Sequence, residues 1–263
     1  MFNFRKRGTL LLMVMTMVAM FMVGCSKDAP AGGGDLKPVV MGLDDTFAPM
    51  GFRDAKGELV GFDIDLATEV AERAGWDISF QPIDWSMKET ELNAGNIDLI
   101  WNGYSITDER LEKVNFSEPY LANAQIVITL ADSDIMKLSD LDGKLVATQA
   151  ESSSLDAARA QPGLVESFKD GKLIEYATFN EVFNDLESGR AEAIIVDEVL
   201  ARYYMANKGA EAYKVLEEDL GPEDFGIGVR KDDEELLTEL NDALNGMKED
   251  GKYDEIYSKW FAK

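Results

Sequence analysis

The chain has 263 residues, with 50 Asp and Glu against 26 Lys and Arg, no histidine and one cysteine, for a formal net charge of −24. A surface this acidic repels nucleic acid and anionic lipid headgroups. The lack of histidine excludes His-dependent catalysis and His-ligated metal, and a lone cysteine excludes an internal disulfide.

Arg5, Lys6 and Arg7 precede an apolar run over 10–23, followed by Gly24 and Cys25. That is the layout of a secretory signal, and the run is too short and wrongly flanked for a membrane span. The segment MVGC resembles the lipobox of bacterial lipoproteins, with Met22 where leucine is usual. The resemblance implies that residues 1–24 are removed and that Cys25 carries a lipid. SKDAPAGGGDLKP (26–38) is small, polar and rich in glycine, so residues 25–38 read as a lipidated cysteine and a flexible tether. The remainder is long enough for one large domain or two lobes of ordinary size.

The body begins near Val39, and from there short apolar runs alternate with helical patterns. VVMGL is followed by DIDLATEVAERAG, then NIDLIWNG, then another helix. In the second of these, Leu66, Ala67, Val70, Ala71 and Ala74 share one helical face, with Asp63 placed to cap the start and Gly75 to end it. Strands alternating with helices predict an α/β fold with a mainly parallel sheet covered on both sides. ELNAGNIDLIWNG (91–103) and DLESGRAEAIIVD (185–197) repeat one layout of helix end, glycine, acid and apolar strand. Leu92 aligns with Leu186, Gly95 with Gly189, Asp98 with Glu192 and Gly103 with Asp197. Two such units predict two similar lobes. Ligands of open α/β sheets bind beyond the carboxyl ends of the strands, which selects residues 102–110 and Asp197.

Arg110 follows the turn NGYSIT. Its planar guanidinium matches a carboxylate with two parallel hydrogen bonds, or it pairs with Glu109 or Glu112 on a solvated helix. Spacing does not separate the two. Asp197 ends the run AIIV before a helical stretch, and spacing alone favours a helix cap there. AESSSLDAARA opens a helix after the strand KLVATQ. Backbone N–H groups and serines at a helix start hold an anion, while Ser153 or Ser154 also serves as a cap. Phe47, Phe52, Trp85 and Trp101 line an apolar slot or belong to the core. No dinucleotide, phosphate-loop, nucleophile-elbow or metal pattern is present.

Together these segments resemble the extracytoplasmic solute-binding proteins of ABC importers for polar amino acids, bacterial solute-binding family 3. GFDIDLATEVAERAG, YSITDERLEKVNFSEPY and GIGVRKDDEELLTELNDALNGMKEDGKYDEIYSKWF carry the resemblance, with DDTFAP and IIVDE. It implies a two-lobed type II periplasmic-binding fold. Lobe 1 is 39–124 plus 222–263 and lobe 2 is 125–221, with crossover strands near 122–127 and 216–225. It implies that Arg110 grips an α-carboxylate, helped by Ser105 and by Ser152 and Ser153 at the helix start. Asp197 takes the α-ammonium beside the Gly103 carbonyl. Phe47 packs on the ligand's side chain and Asp44 reaches its far end, while Phe52, Trp101 and Asn102 shape the pocket.

The chain departs from that family where Glu151 replaces a usual glycine, Met50 a common phenylalanine, and WNG a run of small residues. Asp44 with Glu151 nearby leans towards a basic ligand, lysine or arginine. The rival is a neutral polar amino acid or cystine. An alternative class is a dehydratase-like or lytic-transglycosylase-like enzyme on the same fold, with Glu151 as its acid. The expected protein is a binding module, not an enzyme, without cofactor or metal. Its expected partners are a free amino acid, an ABC permease and, through the lipid, the membrane. It is expected to be monomeric, extracytoplasmic and without nucleic-acid partners.

Overall fold

The computed structural model describes residues 36–262. The expected signal segment, Cys25 with its expected lipid and most of the expected tether lie outside the described residues. The first strand, β1 (Lys37–Leu43), begins inside the segment read as tether. At that end it pairs only with β5 (Trp76–Pro82), and the strand on its other side joins from Met41 onward. Pro38, which has no N–H to donate, is therefore tolerated.

β1 leads through the small antiparallel sheet of β2 (Thr46–Phe47), β3 (Gly51–Arg53) and β4 (Leu59–Val60) into α1 (Phe62–Ala74). Beyond β5 come α2 (Lys88–Asn93), β6 (Leu99–Ser105), α3 (Asp108–Lys113), β7 (Asn115–Phe116) and the long β8 (Leu121–Leu130). The middle of the chain supplies β9 (Val146–Gln149), α4 (Ser153–Ala160), α5 (Leu164–Ser167), β10 (Ile174–Tyr176) and α6 (Phe179–Glu187). It continues with β11 (Ala193–Asp197), α7 (Glu198–Lys208) and β12 (Tyr213–Val215). The chain then returns through β13 (Pro222–Val229) to α8 (Glu234–Asp250) and α9 (Lys252–Phe261).

The main sheet runs β10-β9-β11-β8-β13-β6-β1-β5. Pairing is parallel at both ends, where helices form the connections: β1 with β5 and β6, and β9 with β10 and β11. In the middle, β8 and β13 pair antiparallel over Leu121–Ala124 and Pro222–Phe225. Each also pairs antiparallel with its outer neighbour, β11 or β6. The result is the mixed α/β, two-lobed periplasmic-binding fold, with a parallel half on each side of two long strands.

α1 forms as its apolar stripe requires: Leu66, Ala67, Val70 and Ala71 are buried, and Gly75 ends the helix in the left-handed region at φ 72°. Asp63 is not its cap. Gly61 holds that position without a side-chain bond, and Asp63 is buried. Its Oδ2 instead accepts from the Gly103 N–H at 2.9 Å and the Tyr120 hydroxyl at 3.0 Å. An acid in the first turn of a helix is usually read as serving the helix dipole. Here it serves a neighbouring strand.

Candidate functional site

The carboxyl ends of β1, β6, β9 and β11 meet at a narrow cavity lined by Asp44, Phe47, Trp85, Asn102, Gly103, Arg110, Gln149, Ser152, Ser153, Phe179 and Asp197. Its two sides already touch. Gln149 Nε2 donates to Asp44 Oδ2 at 2.8 Å, the Ser105 and Ser153 hydroxyls lie 2.9 Å apart, and the Phe47 and Phe179 rings are 5.7 Å apart.

Thr107 caps α3 by accepting from the Arg110 N–H, so Arg110 occupies the first turn of a six-residue helix directly after β6. It is not a surface partner of Glu109 or Glu112. Its residue is 4% exposed, and Glu109 pairs with Lys113 at 2.7 Å. The guanidinium donates to the Ser105 carbonyl at 3.0 Å and the Glu151 carbonyl at 3.4 Å, and lies over the Tyr104 ring at 4.6 Å. Among the described residues no carboxylate is within ion-pair distance of it. Backbone carbonyls and an aromatic face orient it without neutralising it.

Asp197 stands at the start of α7 but makes no side-chain cap. Its Oδ1 accepts from Asn123 Nδ2 at 2.7 Å and Gln125 Nε2 at 2.8 Å. Burial, and next the charge of Glu223, raise its carboxyl well above the usual range. The expectation of a cap fails because β8 supplies amide donors that the local sequence does not contain.

Ser152, not Ser153 or Ser154, caps α4: its hydroxyl accepts from the Leu155 N–H at 3.2 Å and donates to the Gln149 carbonyl at 2.7 Å. That leaves Ser153 on the cavity wall at the positive end of the helix dipole. Glu151 precedes them with φ 54°, and its side chain is exposed. Its carbonyl accepts from Arg110 and, at 3.0 Å, from Lys88 Nζ. Lys88 is 2% exposed, and burial, followed by the charge of Arg110, lowers it to about 8.

Phe52 and Trp101, expected in the pocket, are not among its lining residues. Side chains alternate along a strand. Phe47 pairs with Gly51 and lines the cavity, whereas Phe52 pairs with Thr46 and packs on Tyr203 and Trp260 at 5.8 and 6.0 Å. On β6 the same alternation puts Asn102 in the wall and Trp101 in the core, 6.1 Å from Tyr120. Ser105 lies behind the lining, bonded to Ser153. Asp44 is buried and satisfied by the Thr46 N–H and hydroxyl and by Gln149. Burial raises its carboxyl. Asn102 accepts from the Asp44 N–H at 3.1 Å, and its own Nδ2 has no partner among the described residues. Gly103, at φ 59°, brings its backbone to the cavity. A Cβ there would sit 2.8 Å from the Phe47 ring.

Sequence reasoning missed Gln149 and Phe179 and left Trp85 open between slot and core. Trp85 lines the cavity and meets Tyr104 edge to face at 5.8 Å. Gln149 ends β9, the strand whose carboxyl end was already under consideration, so its position was the available signal. Phe179 follows the Thr178 cap of α6 and carried no local signal.

Residues 39–263 match the family described as bacterial extracellular solute-binding proteins, family 3. The chain is 31% identical over 250 residues to a probable histidine-binding protein of Neisseria gonorrhoeae, covering 91% of this chain and 89% of the other. It is 31% identical over 247 residues to the lysine/arginine/ornithine-binding periplasmic protein of Escherichia coli strain K12, covering 91% and 94%. Among solved structures, an ABC uptake transporter substrate binding protein from Streptococcus pneumoniae with bound histidine matches with a TM-score of 0.84. It is 43% identical and covers 86% of this chain and 93% of that one.

Proposed function

Because the chain belongs to the family 3 bacterial extracellular solute-binding proteins, transport binding proteins rather than enzymes, we propose that it binds a free amino acid in this cavity and delivers it to an ABC permease. Arg110 takes the α-carboxylate, with Ser152 and the Ser153 N–H around it and Ser105 behind Ser153. Asp197 takes the α-ammonium beside the Gly103 carbonyl. The side chain lies between Phe47, Phe179 and Trp85, with Asp44 and Gln149 at its far end. Lobe 1 is 39–124 plus 222–263 and lobe 2 is 125–221, so the ligand's two charged ends tie one lobe to the other. Bridging contacts of this kind stabilise the closed form by their differential affinity for it. Cys25 is the lipid anchor, and the protein acts as a monomer at the outer face of the membrane.

One observation carries the reading: a buried guanidinium and a buried carboxylate, each without an opposite charge in ion-pair contact among the described residues, line the same cavity from different parts of the fold. A zwitterion supplies both missing charges. The basic side chain is favoured by Asp44, and by relatives named for histidine and for lysine, arginine and ornithine. A neutral side chain has one observation of its own, the unanswered Asn102 Nδ2, which a ligand carbonyl would accept from.

Calorimetric titration of the protein against the twenty amino acids and cystine tests this. Arg110→Ala and Asp197→Ala are each expected to weaken the best binder by at least about 30-fold, with the unliganded thermal transition retained. Wild-type affinity in either variant removes that residue from the site.

A further inference from the structure

Asp197 is not the only acid at its end of the cavity. Glu223, from the crossover strand β13, reaches the same donors. Its Oε1 accepts from Asn123 Nδ2 at 2.6 Å, Ser105 Oγ at 2.7 Å and Gln125 Nε2 at 2.8 Å, with Ser153 Oγ at 3.5 Å. Asn123 Nδ2 and Gln125 Nε2 are the two nitrogens that also donate to Asp197. The Asn123 amide is fixed in this sense by a backbone donor, and the Gln125 amide is turned so that its nitrogen faces the acids. The Asn123 oxygen already accepts from the Val199 N–H at 3.2 Å, and the Gln125 oxygen accepts from the Ser154 hydroxyl. Two amides thus divide their N–H groups between two carboxylates from different strands.

Among the described residues no cation is within ion-pair distance of this pair. β8 presents the neutral Asn123 and Gln125, β6 presents Ser105, and α4 presents Ser153. On α7, Glu198 accepts from Arg202 at 2.9 and 3.1 Å. On β13, Asp224 is exposed. Across the cavity stand Arg110 and Asp44. Two carboxylates brought this close do not both ionise freely, and the proton they keep belongs to the pair. Burial and the neighbouring Glu223 hold the Asp197 carboxyl well above its ordinary range, consistent with that arrangement.

We propose that Glu223 is the second acid of the ammonium subsite, so that Asp197 and Glu223 hold one proton between them before a ligand enters and a bound ammonium takes that proton's place. The released proton goes to solvent, and the pair becomes a dianion facing one fixed cation. Glu223 is a positioning residue, acting on the ligand through Asp197 and the shared amides. The site therefore selects primary ammonium groups and binds them more tightly as pH rises through the range where the free pair is singly protonated. The inference rests on the assignment of Asp197 to the α-ammonium.

The test is proton release, measured by titrating the tightest binder of the twenty amino acids and cystine in buffers of different ionisation enthalpy at about pH 6, with wild type, Glu223→Gln and Glu223→Asp. Wild type is expected to release more protons per ligand than Glu223→Gln, and its affinity to rise more steeply with pH than that of Glu223→Gln. Glu223→Asp, which keeps the acid, restores the release. Equal release from wild type and Glu223→Gln overturns the proposal, as does restoration failing in a folded Glu223→Asp. Asp197→Asn separates the two levels: if it binds like wild type, the ammonium assignment itself is wrong whatever the proton count.

Discussion

Removing a guanidinium from water without a compensating charge is costly, and a fold keeps such a group only where another interaction requires it. Arg110 is held by carbonyls and a tyrosine ring, and Asp197 by amides. Each is oriented without being neutralised by an opposite charge among the described residues. Asp63 shows the opposite use of a buried acid. Complete burial pushes it up to about 7, against bonds from Gly103 and Tyr120 that favour the ion. A carboxyl that titrates higher when folded than unfolded keeps its proton longer in the native state. Stability from this group is therefore lost as pH rises from about 4 to about 7. Asp63→Asn should flatten that slope, narrowing the difference in wild-type melting temperature between about pH 4.5 and pH 7.5. An unchanged difference removes Asp63 as its source. The position also explains why an acid sits in the first turn of α1 without capping it: Gly103, whose backbone lines the cavity, hangs from that carboxylate.

The repeated unit of helix, glycine, acid and strand is a real structural device. Gly95 and Gly189 both take the left-handed conformation, at φ 75° and 73°, to turn from helix to strand. The acid that follows each accepts from the backbone of an adjoining segment: Asp98 from the Val40 N–H at 2.9 Å, and Glu192 from the Leu145 N–H at 3.0 Å. Nothing lies within 4 Å of a Cβ built at either glycine. Gly95→Ala and Gly189→Ala should therefore cost only the backbone strain, about 1–2 kcal/mol each by denaturant unfolding, with ligand affinity unchanged. A much larger loss in one of them breaks the equivalence of the two units. This layout, the α1 stripe and the Arg110 turn were legible because they are local. Phe52 was misread because β2–β3 register, which faces Phe47 and Phe52 oppositely, is a pairing property. Phe179 and Glu223 become neighbours of the site only once distant elements are assembled, and no spacing along the chain records that.

Considered as a whole, the protein collects a small set of buried charges, Asp44, Arg110 and Asp197, between two parallel-sheet halves. Contacts across the cavity, Asp44 with Gln149, Ser105 with Ser153 and Lys88 with the Glu151 carbonyl, are neutral or single-charge bonds. They bring the walls together without replacing what a zwitterion offers. Closure should then depend on both ends of the ligand at once, and removing one end of the ligand should be equivalent to removing the side chain that receives it. The direct measurement compares the tightest-binding amino acid with its decarboxylated amine, in wild type and in Arg110→Ala, by calorimetry. Wild type should prefer the amino acid by at least about 30-fold, and Arg110→Ala should show nearly equal, weak affinity for the two. If Arg110→Ala keeps the wild-type preference for the carboxylate-bearing ligand, Arg110 does not hold the carboxylate and the two-charge clamp is wrong.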